Sequence, residues 1–313
     1  MFEYKIHNSF EEINSITNLF SETLPTSNVN QLFGDFFWMD CYSKILAKDE
    51  IYIICSYKND ILKTILPFQK NGNTLTTLCD HKTDYNTIFI GENVDMESLI
   101  IFLQKQNISE IHLKNIIKDH EKFIPNNIEL DKTYCPLIRL NEKRNVDLKT
   151  IKELKTNRDK IELIGKIKHE IISTKPYLTD IFLHLHKSWW NAKAQSGLFS
   201  ESTDKHFLNQ ILSNFNNRKK SFYSIIYINN VIASMLLFFK LNDSTIGYYL
   251  GGHNLTFKKY QIGLVHIDTL IKYYSTNLSF SFFDFLRGTE PYKIQLGAMN
   301  DNYVFNCSLS VYK

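Results

Sequence analysis

IYIICSYKNDILKTILPFQKNG fills positions 51–72, and FYSIIYINNVIASMLLFFKLND fills positions 222–243. Each stretch is an apolar strand, a two-residue polar turn and a second apolar strand closing on Lys and a polar turn. Asn59-Asp60 and Asn229-Asn230 occupy the two turns, and Asn and Asp tolerate the positive φ that a two-residue hairpin turn requires. Ile61, Leu62, Thr64, Leu66, Phe68 and Lys70 align with Val231, Ile232, Ser234, Leu236, Phe238 and Lys240. A strand candidate follows each hairpin: TLTTLCD after the first and TIGYYLGG after the second. Helical segments precede both, EEINSITNLFSETL among them in the first half. Recurrence of the flanks as well as the hairpins favours a tandem repeat over a chance likeness.

The halves are joined by 146–170, VDLKTIKELKTNRDKIELIGKIKHE, where Ile151, Leu154, Ile161, Ile164 and Ile167 recur at helical spacings. Its Lys and Glu residues read as a solvated face. A second helix is expected to start near Thr179-Asp180, to carry Leu183, His186 and Trp190 on one face, and to end at Gly197. Three strands then lead into a helix over GLVHIDTLIKYYSTN, a strand over FSFFDFLRG and a last strand over YVFNCSLSVYK. Antiparallel strands followed by a late β-α-β crossover make the fold class α+β. The expected domains are 1–145 and 146–313.

The chain has 313 residues, 43% hydrophobic and 22% charged, as soluble globular proteins do. A net charge of +3 is too small to argue for nucleic acid. Five cysteines lie far apart with no CxxC or Cys/His cluster, so neither a disulfide framework nor a zinc site is indicated, and reduced thiols in cytoplasm are expected. The N-terminus lacks a signal-peptide pattern, and the longest apolar run, 231–239, is too short to span a bilayer.

SFFDFLRGTEPYK, 281–293, puts a carboxylate inside an aromatic strand, where it is costly unless paired. Asp284 either performs chemistry, as a base or an anchor for an ammonium, or pairs with Arg287 or Lys293 to stiffen the strand end. Arg287 either grips an anionic acceptor or bridges to Glu290 or Asp284. Gly288 supplies a positive-φ turn. Upstream, GGHNLTFKKYQIGLVHIDTL links a strand to a helix, whose N-terminus offers free N–H groups and a positive dipole end. Gly263 there either allows close approach of a phosphate, with Lys258, Lys259 or Gln261 as further donors, or is a packing residue. His186 reads as a core histidine, and His253 as a loop residue near a cleft. There is no GxxxxGK[ST], GxGxxG or nucleophile elbow.

The order of elements is similar to the GCN5-related N-acetyltransferase (GNAT) fold. In that family a Gln/Arg-x-x-Gly-x-Gly/Ala turn holds the pyrophosphate of acetyl-CoA; here Tyr260-Gln261-Ile262-Gly263-Leu264-Val265 matches one glycine and departs elsewhere. FDFLRGTEPYK, WWNAKAQSGLF, YYLGGHN and LTTLCDHKTDYNTIFI more specifically resemble the BioF2-like (CelD-type) branch, related to the FemAB/FemX aminoacyltransferases. The resemblance implies two tandem GNAT domains, each a mixed, mostly antiparallel sheet flanked by helices, the first degenerate and the second with the acyl-CoA site. It implies acetyl-CoA as co-substrate without a metal, held by Leu250, Gly251, Lys259, Gln261, Ile262, Gly263 and Leu264. Asp284, Tyr292 and Lys293 would be catalytic. Asp84, Tyr85, Trp190, His253 and Arg287 would bind a small-molecule amine, such as an amino sugar on a nucleotide or lipid carrier. A FemX-like use of aminoacyl-tRNA, which wants a more basic surface, and a non-catalytic binding role are the alternatives.

Overall fold

A computed structural model describes residues 2–13, 32–79, 82–87, 90–91, 96–277 and 279–312. The expected helix over EEINSITNLFSETL lies almost wholly outside these residues. Two compact units emerge, one of residues 1–133 with 303–313, the other of residues 134–302. The last strand therefore returns to the first unit instead of closing the second, as the 146–313 boundary had it.

In the first unit, strand β1 (Glu3–His7) and helix α1 (Phe36–Ile45) precede the hairpin of β2 (Glu50–Lys58) and β3 (Ile61–Asn71). Asp35 caps α1, its side chain accepting from Phe37 N at 3.1 Å. Then come β4 (Thr74–Thr77), β5 (Ile90–Gly91), α2 (Met96–Lys105), β6 (Glu110–Ile117) and β7 (Asp131–Tyr134). The sheet order is β1-β2-β3-β4-β6-β14-β7, with β5 beside β3. Strand β14 (Tyr303–Ser310) joins it because Val304–Ser310 pairs antiparallel with Glu110–Ile117. Leu99 and Leu103, four apart on α2, pack with Ile54, Leu66, Phe68, Leu75 and Ile111.

The second unit opens with β8 (Leu137–Arg139) and α3 (Leu148–Ile164), which Asp147 caps at 2.8 Å from Thr150 N. The helix is shorter than the 146–170 expectation. Past Gly165 the chain alternates as a strand, β9 (Ile167–Ser173), which pairs with β10 (Ser221–Ile228). Helix α4 (Pro176–Asn191) starts at Pro176, whose fixed φ suits a first helical position, so Thr179-Asp180 lies inside the helix. Helix α5 (Ser202–Asn217) follows, then β10, β11 (Val231–Lys240) and β12 (Thr245–His253). A 3-10 turn (Leu255–Tyr260) leads into α6 (Ile262–Asn277), β13 (Phe282–Asp284) and α7 (Pro291–Gln295). The sheet order is β8-β13-β12-β11-β10-β9, and β12 and β13 are parallel, the expected crossover. Leu236, Phe238, Ile246 and Phe283 from the sheet bury against Val265, Leu270 and Ile271 of α6. Each such side chain stabilises the fold by about 1.5–3 kcal/mol.

The repeat holds down to hydrogen-bond register. Asn59, Asp60, Asn229 and Asn230 all have positive φ, between 49° and 63°, as a primed two-residue turn demands. Both hairpins also shift register at the same place: Ser56 pairs with Thr64 and Tyr57 with Leu62, while Ile226 pairs with Ser234 and Tyr227 with Ile232. The bulged residues, Lys63 and Ala233, are counterparts in the sequence alignment.

Helix α6 is anchored by one buried carboxylate. Asp268, 1% exposed, meets Arg144 at 2.9 Å, Arg158 at 3.1 Å and Lys272 at 2.7 Å. Burial alone would raise its pKa, but hydrogen bonds from Lys272 and Arg144 prevail and hold it below the usual carboxylate range.

Candidate active site

The parallel ladder of β12 and β13 is short. Thr245, Ile246 and Gly247 face Phe282, Phe283 and Asp284, and there it stops. Beyond Asp284 the chain turns to its other neighbour, Phe285 N donating to Pro136 O at 2.9 Å and Gly288 N to Tyr134 O at 3.0 Å. β12 runs on from Tyr248 to His253, paired with β11 alone among the described residues. A register shift between Leu237 and Phe238, opposite Leu250 and Tyr248, bends β12 where the two strands part. The result is a wedge-shaped gap with one strand edge unpaired. Leu250 and Gly251 on this edge are half-exposed.

Tyr248, Phe285 and Tyr292 stand side by side at the gap, with ring centroids 6.4 Å and 6.1 Å apart. Burial raises both phenol pKa values; for Tyr248 the Glu290 charge adds to it, and for Tyr292 those of Tyr248 and Glu290. Both phenols therefore stay neutral hydrogen-bond donors at physiological pH.

Asp284 and Lys293 bracket a tied loop. Asp284 Oδ1 accepts from Leu286 N at 2.7 Å, which steadies Leu286 at φ 58°. Lys293, 2% exposed, donates to Arg287 O at 3.0 Å, Gly288 O at 3.1 Å and Leu286 O at 3.4 Å, and meets Glu290 at 2.9 Å. Its ammonium is engaged by the loop on all sides. Gly288 has φ 120°, and a Cβ there would lie 2.5 Å from Glu290 Oε2. Arg287 is half-buried on the same loop.

His253 is the last residue of β12 and is 6% exposed, not the surface loop residue the sequence suggested. Its ring lies between two glycines: a Cβ on Gly263 would come within 2.7 Å of His253 Nε2, and one on Gly251 within 2.9 Å of that atom and 2.6 Å of the Tyr248 hydroxyl. Burial, then the nearby His186 and Lys193, lower its pKa to about 3, so the imidazole is neutral. Trp189 meets it edge-on at 4.9 Å. His186 Nδ1 donates to Gly251 O at 2.8 Å, while its buried Nε2 has no partner. Trp190 lies 6.1 Å from His186, with Lys193 4.8 Å over its indole.

The turn before α6 ends in a left-handed residue at a helix start. Gln261 is left-handed at φ 49°, and the first N–H groups of α6, from Ile262, Gly263 and Leu264, have no partners within the helix. Gln261's side chain is held by Glu153 at 2.5 Å, and Lys258 and Lys259 are exposed. The space beside Gly263 is taken by His253, so this glycine serves packing as well as any ligand.

Asp84 and Tyr85 belong to the first unit, where Tyr85 is 1% exposed and packs 6.3 Å from Phe33. Tyr248, His169, His266, Ser224 and Ser234 were not singled out from sequence. The only available signal was polar residues at inward positions of apolar strands and helices. Among the described residues no cluster of His, Cys, Asp or Glu could hold a metal, and no helix is long and apolar enough to cross a membrane.

Residues 149–294 match the family model described as Acetyltransferase (GNAT) domain. No curated protein sequence matches the chain. Among solved structures, L-PGS from Bacillus licheniformis is similar at TM-score 0.60 and 10% identity, covering 96% of this chain and 92% of that one. FemX is similar at TM-score 0.58 and 10% identity, covering 97% and 96%. A tandem GNAT protein from the clavulanic acid biosynthesis pathway is similar at TM-score 0.56 and 7% identity, covering 100% and 99%. At such identities the likeness is one of fold.

Proposed function

With a GNAT acyltransferase domain over residues 149–294, in a mixed α+β fold shared with tandem GNAT and FemX proteins, we propose that the chain is an N-acetyltransferase using acetyl-CoA. The observation that carries this reading is the gap between β12 and β13, where one strand edge has no second strand beside it and lies near neutral phenols and a neutral imidazole. The acetyl donor lies along Leu250 and Gly251, and its pyrophosphate meets the first turn of α6 at Ile262, Gly263 and Leu264, with Lys259 and Gln261 nearby. Backbone N–H groups of β12 and the hydroxyl of Tyr248 or Tyr292 stabilise negative charge developing on the carbonyl oxygen. His253 Nε2 is the base that frees the acceptor amine. Asp284 and Lys293 hold the loop that carries Arg287, which grips an anionic group of the acceptor. Trp190 lies on the acceptor side.

The acceptor is an amino sugar on a nucleotide or lipid carrier for surface polysaccharide, the class the family resemblance implies. Five buried free thiols support a cytoplasmic setting. The competing readings use aminoacyl-tRNA as donor, as the fold shared with FemX suggests, or involve binding without transfer. Calorimetric titration separates them. Saturable acetyl-CoA binding, with transfer to an amino sugar nucleotide, supports the proposal. Salt-sensitive tRNA binding without acetyl-CoA binding favours the second donor, and binding of neither carrier leaves the non-catalytic reading.

A further inference from the structure

Five polar side chains from five elements form an unbroken line through the apolar core of the second unit. His253 Nδ1 on β12 lies 2.8 Å from Ser234 Oγ on β11, which lies 2.7 Å from His266 Nδ1 on α6. His266 Nε2 lies 2.8 Å from Ser224 Oγ on β10, which lies 2.7 Å from His169 Nε2 on β9. Ser224, Ser234 and His266 are all 0% exposed. Both ends of the line are open. His253 Nε2 has no hydrogen-bond partner among the described residues and sits beside half-exposed Gly251. His169 is half-buried on the edge strand of the sheet, and its Nδ1 likewise has no partner among the described residues.

Burial holds His169, His253 and His266 below their ordinary pKa, so each is a neutral ring with one N–H. Each serine has one O–H. With both serine O–H groups donating within the line, every link is then satisfied in only two ways. In the first, each proton points from His253 toward His169: His253 Nδ1–H to Ser234, Ser234 O–H to His266 Nδ1, His266 Nε2–H to Ser224, and Ser224 O–H to His169 Nε2. This leaves His253 Nε2 a bare acceptor. In the second, all links reverse and His253 Nε2 carries the hydrogen. A structural role would be met as well by apolar side chains, without the cost of burying polar groups. A line with two complete settings and open ends suits proton movement.

Building on the acyl-transfer reading, we propose that this line is a proton path, which takes the proton shed by the acceptor ammonium at His253 Nε2 and releases it from His169 Nδ1 at the sheet edge. The ammonium N–H bond breaks as the His253 Nε2–H bond forms. His253 Nδ1–H passes to Ser234, Ser234 to His266 Nδ1, His266 Nε2–H to Ser224, and Ser224 to His169 Nε2, and His169 Nδ1–H leaves to solvent. The neutral amine attacks, and its second surplus proton goes to the departing carrier group. After product release the shift runs backward. A solvent proton enters at His169 Nδ1, and the His253 Nε2 proton goes to water in the open cleft.

Ser224→Ala cuts the line deep in the core, and His169→Gln removes its exit in case the first variant folds poorly. In ligand-free, 15N-histidine-labelled protein, the two His253 nitrogens should give averaged magnetic-resonance shifts in wild type. They should move toward those of a single tautomer in either variant. With acetyl-CoA and an amine acceptor, kcat should fall about 100-fold while donor affinity holds. The proton inventory in mixed H2O and D2O should change from curved to linear. His253 nitrogens unmoved in both variants, or an unchanged kcat, overturn the proton path. Uncoupled nitrogens with active transfer reject the line alone. Coupled nitrogens with no transfer to any amine reject the acyl-transfer reading, and with it the amine as proton source.

Discussion

The two units treat the same seam in opposite ways. In the first, β4 and β6 form a three-residue parallel ladder from Thr74 to Thr76, much as β12 and β13 do in the second. Past that ladder the first seam is sewn shut. Thr77 Oγ1 donates to His112 O at 3.3 Å and accepts from Lys114 N at 2.7 Å. The chain then returns, and Asn86 N donates to Asn115 O at 2.7 Å while Asn86 O accepts from Ile117 N at 3.2 Å. The Asn86 amide adds bonds to Cys79 O at 3.0 Å and Lys114 O at 2.9 Å. In the second unit β12 continues alone, and glycines, tyrosines and a histidine face the opening. The same hairpin plan thus stands beside a closed seam in one unit and an open seam in the other.

The largest expected effect comes from closing the open seam. Gly251→Val puts side-chain atoms against the Tyr248 hydroxyl and His253 Nε2, and should weaken acetyl-CoA binding about 1000-fold, roughly 4 kcal/mol, by calorimetry. Unchanged affinity would break the contrast between the units. Next is the loop at the lip of the gap. Lys293→Met abandons buried carbonyls of Leu286, Arg287 and Gly288 and should cost about 3 kcal/mol in denaturant unfolding. A variant of full stability but low kcat would instead assign Lys293 to the chemistry. Opening the sewn seam is the counterpart experiment. Asn86→Ala removes the amide's bonds to two carbonyls and should cost about 2 kcal/mol of stability, with donor affinity unchanged.

The last test is a slope with pH. His253, His266, His186 and His169 of the second unit all have pKa values lowered chiefly by burial, as does His120 of the first, to about 4. Their unfolded values lie near 6.5, so below that pH the unfolded chain binds more protons and stability falls as pH falls. Each fully buried ring contributes about 1.4 kcal/mol per pH unit between its folded and unfolded values. Melting curves from pH 7 to pH 5 should show this decline, and His253→Gln should flatten it. A slope unaffected by that change would mean His253 is not held neutral.

The hairpins were legible because a two-residue Asn/Asp turn and alternating apolar residues leave one register open, and even the bulges fell at matching positions. The crossover into α6 was legible from its spacing. The destination of β14 was not, since a half-buried strand carries no mark of which sheet it will join. Asp284 stood out as a charge in an aromatic strand, yet its bond from the backbone N–H of Leu286 two residues on carried no mark in the sequence. The tie from Lys293 to three carbonyls could not be foreseen, because backbone acceptors have no sequence signature. The histidine–serine line escaped for a related reason. Its members are separated by tens of residues and become neighbours only when β9, β10, β11, β12 and α6 assemble.

Hydrogen–deuterium exchange with and without acetyl-CoA tests the open seam most directly. New protection should fall on residues 248–264, the free stretch of β12 and the first turn of α6, and none on the sewn seam at residues 74–77. Protection centred on β4 and β6, or none anywhere at saturating acetyl-CoA, would contradict the account.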